Sequence, residues 1–175
     1  MCRELLLELQ LKRGTLELVR IEQCAGYLRR NRSVCFAAAG AERLDVLRWA
    51  RANDCLWDER TCEYAAEGGH WEVLQWARAN GCPWDEDTCS KAAEGGHLEV
   101  LQWLCANDCP WDERTCTNSA EYGHLEVLQW ARANDCPWDE DTWQFSSTDP
   151  IMKEWLIANN CPGSDEDEGM SEDEW

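Results

Sequence analysis

Cys89-Ser-Lys-Ala-Ala-Glu-Gly-Gly-His-Leu-Glu-Val-Leu-Gln-Trp-Leu-Cys-Ala-Asn-Asp-Cys-Pro-Trp-Asp-Glu-Arg-Thr115 is a 27-residue stretch that recurs through most of the chain. Trp49, Trp76, Trp103 and Trp130 stand 27 residues apart, as do His70, His97 and His124. Two cysteine columns keep the same step: Cys35, Cys62, Cys89, Cys116, and Cys55, Cys82, Cys109, Cys136. A fixed period between about 20 and 50 residues marks a solenoid, propeller or array.

Each unit carries two helical signals. The first spans roughly Glu86 to Glu94 in the quoted copy and stops at Gly95-Gly96, which breaks a helix. Asp85 and Thr88 both qualify as its N-cap. The second spans roughly Leu98 to Ala106. At about 100° per residue, Val100, Leu101, Trp103 and Leu104 share one arc, with Glu99 and Gln102 opposite. An arc of about 160° predicts contact with a partner helix and with the helices of adjacent units. Each second helix ends at Asn followed by Asp, Gly or Asn, residues that tolerate the left-handed closing conformation. A link such as Cys82-Pro-Trp-Asp-Glu follows, and its Trp (57, 84, 111 or 138) is expected to stack half-buried, its indole N–H on an acceptor.

The units divide the chain. Residues 1–34 read as a degenerate N-terminal capping unit, in which Gly14 to Gly26 repeats the twelve-residue step of Gly69 to Gly81. Residues 35–142 hold four full repeats, and 143–162 form a degenerate C-terminal cap, where Thr148-Asp149-Pro150 replaces Gly-Gly-His. Residues 163–175 are an acidic tail expected to be disordered. Its Ser164-Asp-Glu-Asp and Ser171-Glu-Asp-Glu have the form of acidophilic-kinase sites.

Charge narrows the partners. The net charge is −19, and removing the tail leaves 28 acidic against 16 basic residues. Phosphate backbones demand clustered Lys and Arg, so nucleic acid is not an expected partner, and neither is an anionic membrane. No run approaches the roughly 18 apolar residues of a membrane span, and the N-terminus is broken by Glu4 and Glu8. The expectation is a monomeric intracellular protein, cytoplasmic or nuclear and not secreted, with its twelve Cys as free thiols.

At Ala92-Ala93-Glu94-Gly95-Gly96-His97-Leu98-Glu99-Val100-Leu101 the sequence resembles an ankyrin repeat. The likeness covers about residues 14 to 161 and is strongest in 62–142. It departs from that family in its shorter link and in Thr88-Cys89-Ser90-Lys91, which stands where the family has Thr-Pro-Leu-His. The resemblance implies an all-α solenoid of stacked antiparallel helix pairs, without long β-hairpin fingers, that binds proteins on a concave face.

Copies differ mainly on the first helix. The candidate partner-binding residues are Arg60, Glu63, Tyr64, Asp87, Ser90, Lys91, Arg114, Thr117, Asn118, Asp141, Gln144 and Phe145. Positions that vary over a fixed frame are expected to face solvent, and both neutral drift and selection for binding produce such a pattern. A protein partner is expected, of basic character where it meets the tail.

A second reading makes the Cys columns a metal or redox site. Units about 8–10 Å apart separate members of one column too far for a shared ion or a disulfide. Cross-column pairs such as Cys82 with Cys89 stay within reach, while buried Cys otherwise behaves as a small hydrophobe. His70, His97 and His124 recur once per unit and are expected to serve helix starts, not a catalytic constellation. With no phosphate loop, nucleophile elbow or metalloprotease motif, neither a cofactor nor enzymatic activity is expected.

Overall fold

The computed structural model describes residues 32–146 and 148–164. All of the regular structure among them is helical: α1 (Ser33–Gly40), α2 (Leu44–Ala52), α3 (Arg60–Glu67), α4 (Trp71–Ala79), α5 (Glu86–Glu94), α6 (Leu98–Ala106), α7 (Glu113–Glu121), α8 (Leu125–Ala133), α9 (Glu140–Gln144) and α10 (Pro150–Ala158). None of these helices is long and apolar enough to cross a membrane.

The helix limits follow from local chemistry. Asp85 takes an extended conformation at the N-cap of α5, and its own N–H donates to Thr88 Oγ1 at 3.4 Å. Both candidate caps are therefore used, as the two halves of a capping box. Asp112 caps α7 by accepting from Arg114 N at 3.1 Å, and Asp149 caps α10 ahead of Pro150. At the other end, Asn80, Asn107 and Asn134 each donate Nδ2 to a Trp carbonyl four residues back, at 2.8 Å. The next residue then enters the left-handed region: Asp54, Gly81, Asp108, Asp135 and Asn160. After it, a Cys N–H returns to a carbonyl five residues back, as Cys82 does to Ala77 at 3.0 Å. Together these bonds close the helix in a Schellman-type turn that satisfies its last carbonyls.

Each first helix packs on its own second helix (α1 on α2, α3 on α4, α5 on α6, α7 on α8), and consecutive first helices pack on one another from α1 through α3, α5 and α7 to α9. The first helices meet through small side chains: Thr88, Cys89, Ser90, Ala92 and Ala93 of α5 are all buried. Second helices supply the bulk. Val100, Leu101 and Leu104 are buried and Trp103 is half-buried, while Glu99 and Gln102 are exposed, as the periodicity requires. Buried side chains fall in two groups, and Trp111 and Trp130 pack against both.

One boundary moves. The expected first unit, 1–34, lies outside the described residues except for its last three positions, of which Ser33 and Val34 open α1 just as Arg60 and Thr61 open α3 ahead of Cys62. The expected tail starts too early: Ser164 is 4% exposed and donates its hydroxyl to the Cys161 carbonyl at 2.7 Å, so 163–164 belong to the packed body. Residues 165–175 lie outside the described region.

Candidate interaction surface

The histidines join consecutive units. His70, His97 and His124 make no side-chain cap on the helices they precede. Their Nε2 atoms reach carbonyls 30 residues earlier: Gly40 at 3.2 Å, Glu67 at 3.0 Å and Glu94 at 2.9 Å. A carbonyl only accepts, so Nε2 carries the proton. Of the capping or hydrogen-bonding role expected at the helix start, the capping is thus corrected and the hydrogen bonding stands: each ring ties its unit to the C-terminal end of the preceding first helix.

The link tryptophans form a second tie. Trp57 packs on Trp76 at 6.1 Å, Trp84 on Trp103 at 5.8 Å, Trp111 on Trp130 at 5.9 Å and Trp138 on Trp155 at 6.1 Å. In every case a link ring meets the second helix of the following unit at a steep angle, an arrangement aromatic pairs favour. Arg51, Arg78 and Arg132 lie over Trp57, Trp84 and Trp138, 4.0 to 4.2 Å from the ring centres. Cys105 takes that Arg position in the remaining copy. No protein acceptor for the four link indole N–H groups is found among the described residues.

Along the first-helix row the candidate residues separate into two kinds. Arg60, Arg114, Asp141, Gln144 and Phe145 are exposed. Tyr64 is half-buried and stacks on Phe36 at 5.2 Å, and Lys91 Nζ pairs with Glu94 at 2.6 Å. Asn118 Nδ2 donates to the Ser90 carbonyl at 3.2 Å, and Thr117 Oγ1 meets Thr142 Oγ1 at 3.2 Å. Ser90 itself is 4% exposed and donates to the Asp87 carbonyl at 3.0 Å. It leaves the contact set, because α7 packs over it.

Asp87, Glu63 and Asp85 place carboxylate oxygens within 4.8 Å of one another. Arg114 binds Asp87 and also Asp112, the latter at 2.8 Å. Burial, then Asp85, Asp87, Glu59 and Asp58, push Glu63 from its ordinary 4.5 up to about 7. Folding therefore favours protonated Glu63. Its contribution to stability is complete below the ordinary carboxylate value and is lost as pH rises through about 7. We predict that Glu63→Gln unfolds at a higher temperature than the parent at pH 8, with the gap closing toward pH 5. An equal gap at both values would refute the assignment.

The ten described cysteines are free thiols, nine buried and Cys105 half-buried. Burial pushes Cys35 up to about 12 and Cys161 up to about 11. Cys82 and Cys116 are raised too, first by hydrogen bonding with Cys62 and Cys136 and then by burial. These cross-column neighbours, Cys62 with Cys82 and Cys116 with Cys136, stand 20 residues apart within one unit. Cys82, Cys109 and Cys136 also donate to the carbonyls of Asp58, Asp85 and Asp112 at 3.4 to 3.5 Å. Neutral thiols in such settings are poor nucleophiles and poor ligands until deprotonated.

Two exposed aromatic side chains escaped the sequence reading. Tyr122 is 52% exposed and stands where two of the other copies have the first Gly of Gly-Gly-His and the first copy has Ala41. Trp71 stands where the other copies have Leu44, Leu98 and Leu125. In both cases the signal is a large aromatic residue in a column that otherwise holds none. No protein-family model matches the chain, and no curated protein matches it in sequence.

Proposed function

We propose that the chain is an ankyrin-like α-solenoid that binds a protein partner along its row of first helices and performs no chemistry. One observation carries the reading: a frame repeated from unit to unit supports a surface that is not repeated. The frame is the His-to-carbonyl bond over 30 residues, found at three successive junctions. The surface is the set of side chains at Arg60, Asp87, Arg114 and Asp141, and at Tyr64, Lys91, Asn118 and Phe145. Repeat proteins stacked in this way present extended surfaces for partners. In this reading residues 35–142 are the repeats and 143–162 the closing unit. The acidic tail adds attraction for a basic partner, and the chain acts as a monomer inside the cell.

Tyr64, Lys91 and Asn118 are tied to neighbours and Arg60 pairs with buried Asp58 at 3.2 Å, so the variant that tests the surface changes Asp141, Gln144 and Phe145 to alanine together. The immobilised parent should capture a specific protein that the triple variant loses while its far-UV circular dichroism is unchanged. Equal capture by both would sink the assignment of this row.

A further inference from the structure

A cavity of about 390 Å³ lies outside the first-helix row, among residues that include Gly69, Trp71, Gly96, His97, Glu99 and Glu126. Its volume falls in the range of sites that take small ligands or single side chains. Gly69 and Gly96 contribute no side chain to it, and a Cβ on either would strike the ring of His97 or His124.

Trp71 is the residue that departs from the repeat here. Leu98 and Leu125 are half-buried at the same place in their units, whereas the larger indole overhangs and is 37% exposed. Its edge-to-face packing on Trp103, with centres 5.4 Å apart, fixes its position. Glu99 and Glu126 stand in the first turns of α6 and α8. Neither has an ion pair or a side-chain hydrogen bond among the described residues. His97 Nε2 is already bonded to the Glu67 carbonyl.

A ligand suited to this lining carries a positive charge on an apolar stem. An indole face attracts a cation within about 6 Å of its centre. Carboxylates accept charge-assisted hydrogen bonds, and they repel the anions that helix N-termini would otherwise draw in. We propose that the cavity receives a lysine or arginine side chain of the partner protein, its charged head held between the Trp71 indole and the carboxylates of Glu99 and Glu126. This rests on the chain's being a protein-binding module but places a second contact apart from the first-helix row.

The test uses the full chain, labelled with 15N, titrated with pentalysine at constant ionic strength. Of the twelve indole N–H signals, that of Trp71 should move saturably. Trp71→Leu restores the residue that the other units carry, so it keeps the fold; it should weaken the peptide about tenfold, the effect of about 1.4 kcal/mol. Glu99→Gln with Glu126→Gln should do the same. The Asp141, Gln144 and Phe145 triple variant should retain the Trp71 response, which separates this proposal from the failure of the first-helix surface. Binding unchanged in Trp71→Leu, or shifts confined to the Glu63, Asp85 and Asp87 cluster, would overturn it.

Discussion

Gly96→Ala is expected to destabilise the protein by about 3 kcal/mol in urea unfolding, and Gly81→Ala by only about 1 kcal/mol. Both glycines sit in the left-handed region, at φ +72° and +82°, so each substitution brings the strain of an L side chain there. They differ in what the new methyl group meets. At Gly81 nothing lies within 4 Å, whereas at Gly96 the Cβ would sit 2.6 Å from two atoms of the His124 ring. The ring must move, and the 2.9 Å bond from its Nε2 to the Glu94 carbonyl goes with it. That leaves a carbonyl at the end of α5 without its partner, in addition to the strain. Gly81→Asp is the control for the backbone part. Asp54, Asp108 and Asp135 hold the same place in other units at φ of 59 to 63°, so aspartate should be tolerated better than alanine. Equal losses at Gly96 and Gly81 would mean that the histidine junctions contribute little.

Much of the architecture could be read from the residues because its causes are local. The arc of Val100, Leu101 and Leu104, the Gly-Gly stop and the Asn-Asp closure depend on neighbours within one unit, and the helices α5 and α6 begin and end where those signals put them. What escaped reading depends on contacts between units. The acceptor of His97 is a backbone carbonyl 30 residues away in the preceding unit, and a backbone acceptor leaves no mark in any side-chain column. Ser90 varies among the copies and looks like a surface position, yet the packing of α7 buries it. The thiol pairing depends on the fold in the same way: the turn between α3 and α4 brings Cys62 to Cys82. Trp71 and Tyr122 were legible in principle as departures from the repeat. Their exposure follows only from the folded chain.

If each unit rests on the next as proposed, the chain should accept another copy in the middle. Inserting a second copy of 89–115 directly after Thr115 gives the added His a Glu carbonyl 30 residues earlier and the added link Trp a following second-helix Trp. The enlarged protein should unfold cooperatively, with a higher urea midpoint, because a nearest-neighbour stack gains one unit and one junction. Small-angle X-ray scattering of parent and insertion variant then measures the decisive quantity, the maximum dimension. The stack predicts growth by one unit spacing, about 8–10 Å, at unchanged cross-section. A folded insertion variant that thickens without lengthening, or an insertion that abolishes folding, would contradict the stack.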